Sequence, residues 1–271
     1  MNSKSSSATV ISVEPRGAHI LGSFIDACSW RTAIYGIHRW SAARESRYVC
    51  ICNVHSLVTA RQNESLHNAL AGADMSTPDG MPIAWMLRRM GFPNQQRING
   101  PDLMWNYCEL AESLHEPVFL YGATQATLSQ LQLRLQAAFP QLPIAGIYSP
   151  PFRALTAAED EEIIAFINAS GARVVFISLG CPKQELWMAQ HRGKIKAVMV
   201  GVGAAFDYHA GTLQRAPLWM QQRGLEWLHR FYSEPRRLWK RYLVTNAVFV
   251  LLSSIQLIIY KRKNRNLIKT N

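Results

Sequence analysis

Residues 117–139 read PVFLYGATQATLSQLQLRLQAAF, and this stretch decides the fold. The short apolar run at residues 118–121 predicts a buried strand, and Gly122 predicts the turn that follows it. Thr124 is placed to cap a helix at its N-terminus. The apolar stripe of that helix would consist of Leu128, Leu131 and Leu135. A strand followed by an amphipathic helix is the repeating unit of a parallel α/β sheet.

The same unit recurs along the chain. A β-branched and Cys-rich run at residues 47–54 predicts a strand, and a helix is predicted to follow at residues 57–72. Thr156 and Glu159 have the spacing of a capping box before another helix. Further strands are predicted within residues 142–151, 173–180 and 196–203. We therefore predict an α/β fold with a Rossmann-like, open and mainly parallel sheet. No G-x-G-x-x-G follows a predicted strand, which argues against a dinucleotide-binding dehydrogenase.

Three regions differ in composition. Residues 1–17 are Ser-rich and lack an apolar period, so they predict a flexible N-terminal tail, and residues 18–211 form the predicted α/β body. Residues 212–271 form a predicted helical region rich in Trp and Arg. Almost all of the net charge of +11 lies there, because twelve Lys and Arg face two Glu from Arg215 onward. A nearly neutral body with a basic, apolar tail predicts docking on an anionic surface or binding of a polyphosphate.

The apolar run at residues 243–260 bears on membrane attachment. As a helix it would be about 27 Å long, which is marginal for crossing a bilayer. Its polar residues fall within one narrow sector, and both of its flanks are basic. These polar residues are Thr245, Asn246, Ser253 and Gln256. The pattern favours a helix in or on the membrane interface over a transmembrane span, and a buried core helix is the third alternative.

Cysteine and histidine patterns give little support to a metal site. The five cysteines show no C-x-x-C spacing, the eight histidines show no H-E-x-x-H motif, and no D-x-D motif occurs. Small buried apolar residues are the favoured interpretation of the cysteines. We expect neither a metal nor a cofactor. With no visible secretory signal, the body is expected in the cytoplasm.

Asp79 is the first candidate for chemistry. It lies between Pro78 and Gly80 in a loop that follows a predicted strand. Ligands of open α/β sheets bind outside the carboxyl ends of the strands, where a carboxylate could deprotonate a hydroxyl. Pro-Asp-Gly is also an ordinary turn sequence, so this loop alone does not separate a catalytic from a structural role.

Two further loops lie at predicted strand ends. In the segment LGCPKQELW, exposed amides at a helix start and the charge of Lys183 could attract phosphate, and Gln184 could bond sugar hydroxyls. In the segment GVGAAFDYHAG, Gly201 and Gly203 would allow a ligand to approach the main chain closely. Each of these signals is weak when taken singly.

Together with these loops, the segments PDG, RINGPDLM and RAPLWMQQRGLEWLHRFYSEPRR make the chain resemble the WecG/TagA/CpsF glycosyltransferases, from about residue 53 to residue 241. The resemblance implies inverting transfer of a sugar from a UDP-sugar to a polyprenyl-diphosphate-linked sugar in cell-surface or exopolysaccharide synthesis. It also implies peripheral attachment to the cytoplasmic face of the inner membrane. The segment PDGMP resembles the exopolysaccharide-synthesis members of the family, which favours UDP-glucose or a related hexose as donor.

The resemblance also assigns roles to single residues. Asp79 would be the general base, and Asn53, Arg97 and Gln184 would contact the substrates, beside the loop residues Lys183, Gly201 and Gly203. Arginines of the C-terminal region would close over the donor diphosphate in place of a metal. Their matching positions here are Arg230, Arg237 and, by spacing, Lys240.

Two positions depart from the family pattern. Ile51 stands where a Thr is common, which removes a hydroxyl contact. Lys240 stands where an Arg is expected, and it would give a point charge rather than a planar fork.

Two other functions are alternatives to glycosyl transfer. The basic, aromatic tail could bind nucleic acid, although the loop segments argue against this and we expect no nucleic-acid partner. A non-catalytic membrane scaffold of the same fold is the second alternative. A homo-oligomer is left open by the sequence.

Overall fold

The computed structural model describes residues 17–269, apart from the side chains at positions 237, 240–242 and 264–269. The tail predicted at residues 1–17 therefore lies, except for Gly17, outside the described residues. Eight strands occur in the described range. They are β1 (Gly17–Ile20), β2 (Ser23–Asp26), β3 (Arg47–Cys52), β4 (Met75–Pro78), β5 (Val118–Gly122), β6 (Ile144–Tyr148), β7 (Val174–Ser178) and β8 (Val198–Gly201).

Strands β3 to β8 form one parallel sheet in the order β4-β3-β8-β7-β5-β6, and β1 and β2 form a separate antiparallel hairpin. The predicted α/β class with an open, Rossmann-like parallel sheet is confirmed. The hairpin was not predicted.

Twelve helices surround the sheet within the described range. They are α1 (Trp30–Ala42), α2 (Val54–Ala60), α3 (Glu64–Ala71), α4 (Met81–Arg89), α5 (Gly100–Ser113), α6 (Gln125–Ala138), α7 (Ala157–Ala169), α8 (Lys183–His191), α9 (Ala205–Ala210), α10 (Leu218–Gln222), α11 (Glu226–Ser233) and α12 (Pro235–Lys269).

The central strands β3, β8, β7 and β5 are buried on both faces, which explains why they are almost continuously apolar rather than alternating. Along β3, Cys50 and Cys52 face one core, whereas Val49 and Ile51 face the other. Strand β7 alternates in the same way. Cys50, Cys52 and Cys108 are buried free thiols, as expected for small apolar residues.

The predicted helix starts are confirmed. The hydroxyl of Thr124 accepts a hydrogen bond from the main-chain N–H of Thr127 at 3.1 Å, and Thr156 and Glu159 form a complete capping box. The predicted stripe of α6 is fully buried: Leu128, Leu131 and Leu135. Local capping chemistry therefore sets where these helices begin.

The single helix predicted at residues 57–72 is wrong, because two helices occupy this stretch. Helix α2 ends at Ala60, and the side chain of Asn63 caps α3 by accepting from the N–H of Leu66 at 2.9 Å. The strand predicted at residues 47–54 ends at Cys52, since Asn53 caps α2 in a capping box with Ser56. Gly122, predicted as a turn, is the last residue of β5.

Helix α12 lies along the body instead of projecting from it. Phe249 is buried, and the side chain of Gln256 accepts from the N–H of Leu21 at 3.0 Å and donates to the carbonyl of His19 at 2.5 Å. Further along, the hydroxyl of Tyr260 donates to the carbonyl of Met90 at 3.0 Å. The segment Leu243–Lys263, with a mean hydropathy of 2.0, is long and apolar enough to cross a membrane. In this structure, however, one side of the helix stays in contact with the protein.

The polar sector of α12 faces the body. Thr245 and Ser253 are buried, and Gln256 bonds the hairpin turn. The exposed side of the helix is apolar and consists of Leu243, Val244, Val250, Leu251, Ile255, Ile258 and Ile259. A surface helix of a soluble protein turns its apolar side to the core and its polar side to water, so the orientation of α12 is the reverse of that arrangement.

Gly122 provides a test of the sheet packing. Its φ is +117°, and an added Cβ would lie 2.3 Å from the carbonyl oxygen of Ser178 in β7. We expect Gly122→Ala to lower the free energy of unfolding by about 3 kcal/mol, because strain and overpacking combine.

The matched control is Gly171→Ala. Gly171 has a φ of +75°, but an added Cβ would meet nothing within 4 Å, so a loss of about 1 kcal/mol is expected. Urea unfolding of both variants measures the difference. Equal losses would show that the contact between β5 and β7 is not tight at Gly122.

Candidate active site

Asp79 lies at the carboxyl end of β4, directly after Pro78. Its main-chain N–H donates to the carbonyl of Cys52, the last residue of β3, at 2.8 Å. The N–H of Ile98 donates to the carbonyl of Pro78 at 2.9 Å, which brings Arg97 alongside. Main-chain bonds on both sides therefore fix the position of this carboxylate at the rim of the sheet.

Arg97 contacts two carboxylates at once. Its Nε donates to Oδ1 of Asp79 at 3.1 Å, and its Nη2 lies 2.5 Å from Oε2 of Glu226 in α11. All three side chains are at most 20% exposed, so solvent screens these contacts weakly. Burial alone would lower the pKa of Arg97, but the two carboxylates outweigh it and raise this pKa, so the guanidinium stays charged.

Glu226 was not predicted from sequence as a site residue. It belongs to the GLEWL segment, which pointed to the family and left the role of this carboxylate unassigned. Through Arg97 it ties the C-terminal helices to the sheet rim that carries Asp79.

A second ion pair anchors the start of the C-terminal region. Arg215 donates from Nη1 to Oδ1 of Asp102 at 2.5 Å and from Nη2 to Oδ2 at 2.9 Å. Burial alone would raise the pKa of Asp102, but the hydrogen bonds from Arg215 and Asn99 lower it overall. The region is thus held to the body at two charged points, Asp102 in α5 and Arg97.

A cavity of about 780 Å³ opens beside Asp79, between the sheet rim, α4, α11 and α12. Its polar wall includes Asn53, Asp79, Arg97, Glu226 and Arg230. Its apolar wall includes Trp85, Met86, Phe249, Val250 and Leu257. Three predicted site residues therefore meet in one cavity: Asn53, Asp79 and Arg97. Arg230 lines the same cavity and belongs to the predicted clamp, the three cations expected to bind the donor diphosphate (Arg230, Arg237 and Lys240).

The predicted clamp is described in part. The guanidinium of Arg230 lies 6.0 Å from the ring centroid of Tyr208, a cation–π contact, and it lines the cavity. Arg237 and Lys240 lie in the first turns of α12, but their side chains are outside the described residues. Their contact with a diphosphate stays a prediction.

The remaining predicted residues lie at the carboxyl ends of β7 and β8 and do not line the cavity. Gln184 is buried, and its side chain donates to the carbonyl of Gly201 at 3.3 Å and accepts from the N–H of Gly203 at 3.2 Å. An added Cβ at Gly201 would lie 2.7 Å from the methyl of Met188, so this glycine makes room for α8. Lys183 is exposed. Substrate contacts by these four residues stay predictions.

Within residues 17–269, no group of three or more His, Cys, Asp or Glu side chains is arranged to hold a metal ion. Burial raises the pKa of Cys28 to about 12, and it raises the pKa of Cys50 well above its usual value, which keeps these thiols protonated.

Comparisons with known proteins identify the family of the chain. The family model of the glycosyl transferase WecG/TagA/CpsF family matches residues 18–264. A protein of Bacillus spizizenii described as N-acetylglucosaminyldiphosphoundecaprenol N-acetyl-beta-D-mannosaminyltransferase is 34% identical over 185 residues. That alignment covers 68% of this chain and 70% of the relative. The chain belongs to the WecG/TagA/CpsF family of glycosyltransferases.

Proposed function

We propose that this glycosyltransferase moves a sugar from a UDP-sugar to a sugar carried on a polyprenyl diphosphate, with inversion of the anomeric centre. The observation that carries the proposal is the placement of Asp79, held by Arg97 at the wall of a cavity at the carboxyl end of the sheet. The Bacillus relative is named for an acceptor of this chemical class.

Asp79 serves as the general base. Its carboxylate takes the proton of the acceptor hydroxyl while that oxygen bonds to the anomeric carbon of the donor. The bond between this carbon and the donor diphosphate breaks on the opposite side, and UDP leaves with the electron pair. A carboxylate is a weak base at neutral pH, so close positioning of the acceptor matters. Arg97 and the main-chain bonds of Asp79 supply that positioning on the enzyme's side.

Arginines bind the departing diphosphate. Arg230 lines the cavity that contains Asp79, and Arg237 and Lys240 follow it along the chain at positions that the family resemblance assigns to the same task. Guanidinium groups form paired hydrogen bonds with phosphate oxygens, and they stabilise the charge that develops as UDP leaves. In this proposal no divalent metal is required.

For the donor sugar we propose a chemical class and no single compound. The segment PDGMP favours a UDP-hexose, whereas the name of the Bacillus relative favours a UDP-N-acetylhexosamine. Both classes belong in an activity screen, with UDP-glucose and UDP-N-acetylmannosamine as their representatives.

The C-terminal helix accounts for access to a lipid acceptor. The apolar side of α12 is exposed, and Lys261, Arg262 and Lys263 follow it. We propose that α12 lies in the plane of the cytoplasmic face of the inner membrane, because its other side is bonded to the body. The cavity between α4 and α12 then opens where polyprenyl lipids lie.

Replacement of the base tests the proposal. We expect Asp79→Asn to lower kcat by about 10²- to 10⁴-fold while UDP affinity changes less than about twofold, since an amide cannot accept the proton. Product formation from a panel of UDP-sugars and a short-chain prenyl-diphosphate acceptor, followed by mass spectrometry with EDTA present, measures the change.

The control for charge is Glu161→Gln, which removes an exposed carboxylate of α7 and is expected to leave kcat unchanged. If Asp79→Asn retained full activity, Asp79 would not be the base. If the wild-type protein bound UDP without any transfer, the scaffold alternative would be favoured. Oligonucleotide binding without UDP binding would favour the nucleic-acid alternative.

The membrane proposal predicts a separate defect. Leu251→Glu combined with Ile258→Glu should weaken sedimentation with anionic vesicles by about tenfold or more, because two charges replace apolar groups on the exposed side of α12. The rate with a soluble short-chain acceptor should change less than about twofold.

Leu133→Glu is the matched control. Leu133 is 61% exposed on α6 of the body, and Leu251 is 63% exposed on α12. Sedimentation of this control should equal that of the wild type. Unchanged sedimentation of the α12 variant would contradict attachment through this helix.

A further inference from the structure

Helix α4 carries two arginines that the proposed mechanism leaves without a task. Arg88 and Arg89 lie at its carboxyl-terminal end, and both line the cavity that contains Asp79. The Nε of Arg88 donates to the carbonyl of Gln95 at 2.8 Å, which fixes the direction of its guanidinium. Among the carboxylates that the structure describes, none lies within 4.0 Å of either guanidinium. The cavity wall therefore presents two cations that no described acidic side chain neutralises.

The surroundings of these cations are mainly apolar, although Thr245, Asn246 and Ser253 of α12 also line the cavity. Trp85 and Met86 precede them on α4, and Phe249, Val250 and Leu257 of α12 face the same cavity. The hydroxyl of Tyr260 bonds the carbonyl of Met90, so the end of α4 is tied to α12 near the two arginines. Paired cations beside an apolar wall match a ligand that combines an anionic group with a hydrocarbon chain.

The spacing along α4 relates this site to the base. The helix begins beside Asp79 and reaches Arg88 and Arg89 after about two turns, about 11 to 12 Å at about 1.5 Å per residue. An acceptor that places its sugar hydroxyl at Asp79 would extend its sugar ring and then its diphosphate along this helix. Its hydrocarbon chain would begin where the apolar residues of α12 line the wall.

We propose that Arg88 and Arg89 bind the diphosphate of the lipid-linked acceptor, with the first isoprene units lying between Trp85 and α12. This inference rests on the proposed function and adds a second anion site to it. The donor diphosphate is bound by the cations of α11 and α12, and the acceptor diphosphate is bound by those of α4. The occupant is the acceptor rather than bulk phospholipid, because both arginines line the cavity that contains the base.

Direct binding tests the site without relying on catalysis. The probe is N-acetylglucosamine joined through a diphosphate to a farnesyl chain, titrated calorimetrically into the full chain. For Arg88→Gln combined with Arg89→Gln, the Kd should rise about tenfold to a hundredfold, since two charge-assisted contacts are lost. The Kd for UDP should change less than about twofold, which also shows that the variant is folded.

Two controls and one rescue variant make the result specific to the diphosphate. Arg39→Gln with Arg61→Gln removes the same charge from exposed ends of α1 and α2, and its affinity for the probe should equal that of the wild type. Octyl N-acetylglucosaminide has no phosphate, so the α4 variant should bind it as well as the wild type does. Arg88→Lys with Arg89→Lys should recover part of the lost affinity, because charge returns without the planar fork.

The outcomes separate this site from the proposed reaction. Wild-type affinity of the α4 variant for the diphosphate probe would overturn the inference. Unchanged probe affinity with weaker sedimentation on anionic vesicles would also overturn it, and would assign the arginines to bulk phospholipid. A selective loss of probe affinity in the variant would support the site even if no UDP-sugar gave transfer, and only the proposed reaction would then fail.

Discussion

The rest of the site depends on the contact of one guanidinium with two carboxylates. Arg97 bonds Asp79 on the sheet rim and contacts Glu226 on α11, so the candidate base and the C-terminal helices share one cation. Breaking a largely buried ion pair by removing one partner costs about 3–5 kcal/mol, because the other charge is left uncompensated. The same contact therefore orients Asp79, the proposed base, and holds the C-terminal region over the cavity. This contact brings helices from the end of the chain to a cavity at the rim of the α/β body.

In the proposed function, the orientation of α12 joins the site to the membrane. Its polar sector contacts the body through Gln256 and neighbouring residues, and its apolar side is exposed. One helix thus forms a wall of the cavity and presents hydrocarbon-compatible surface, and Val250, at the border, belongs to both. A lipid acceptor could then enter along the helix without leaving an apolar environment, while its charged part meets the arginines of α4 and its sugar reaches Asp79.

Sequence patterns predicted the parts of this structure that depend on local chemistry. Alternating strands and helices defined the parallel sheet, side-chain caps such as Thr124 marked helix starts, and the Pro-Asp-Gly turn located Asp79 at a strand end. The features that the sequence did not predict depend on contacts between elements that are distant along the chain. The role of Glu226 arises only when α11 meets Arg97, and periodicity gave the polar sector of α12 without telling which side faces the protein. Asn63 divides a helix that apolar periodicity had joined. Gln184 bonds the main chain at the end of β8, and its contact with substrate stays a prediction.

A double-mutant cycle on Arg97 and Glu226 tests the central claim most directly. The kcat/KM for a soluble short-chain acceptor is measured for Arg97→Gln, Glu226→Gln and the combined variant. If Glu226 acts through Arg97, the combined variant should be no slower than Arg97→Gln alone. If the two losses multiply instead, the residues act independently, and the claim that one shared cation assembles the site is contradicted.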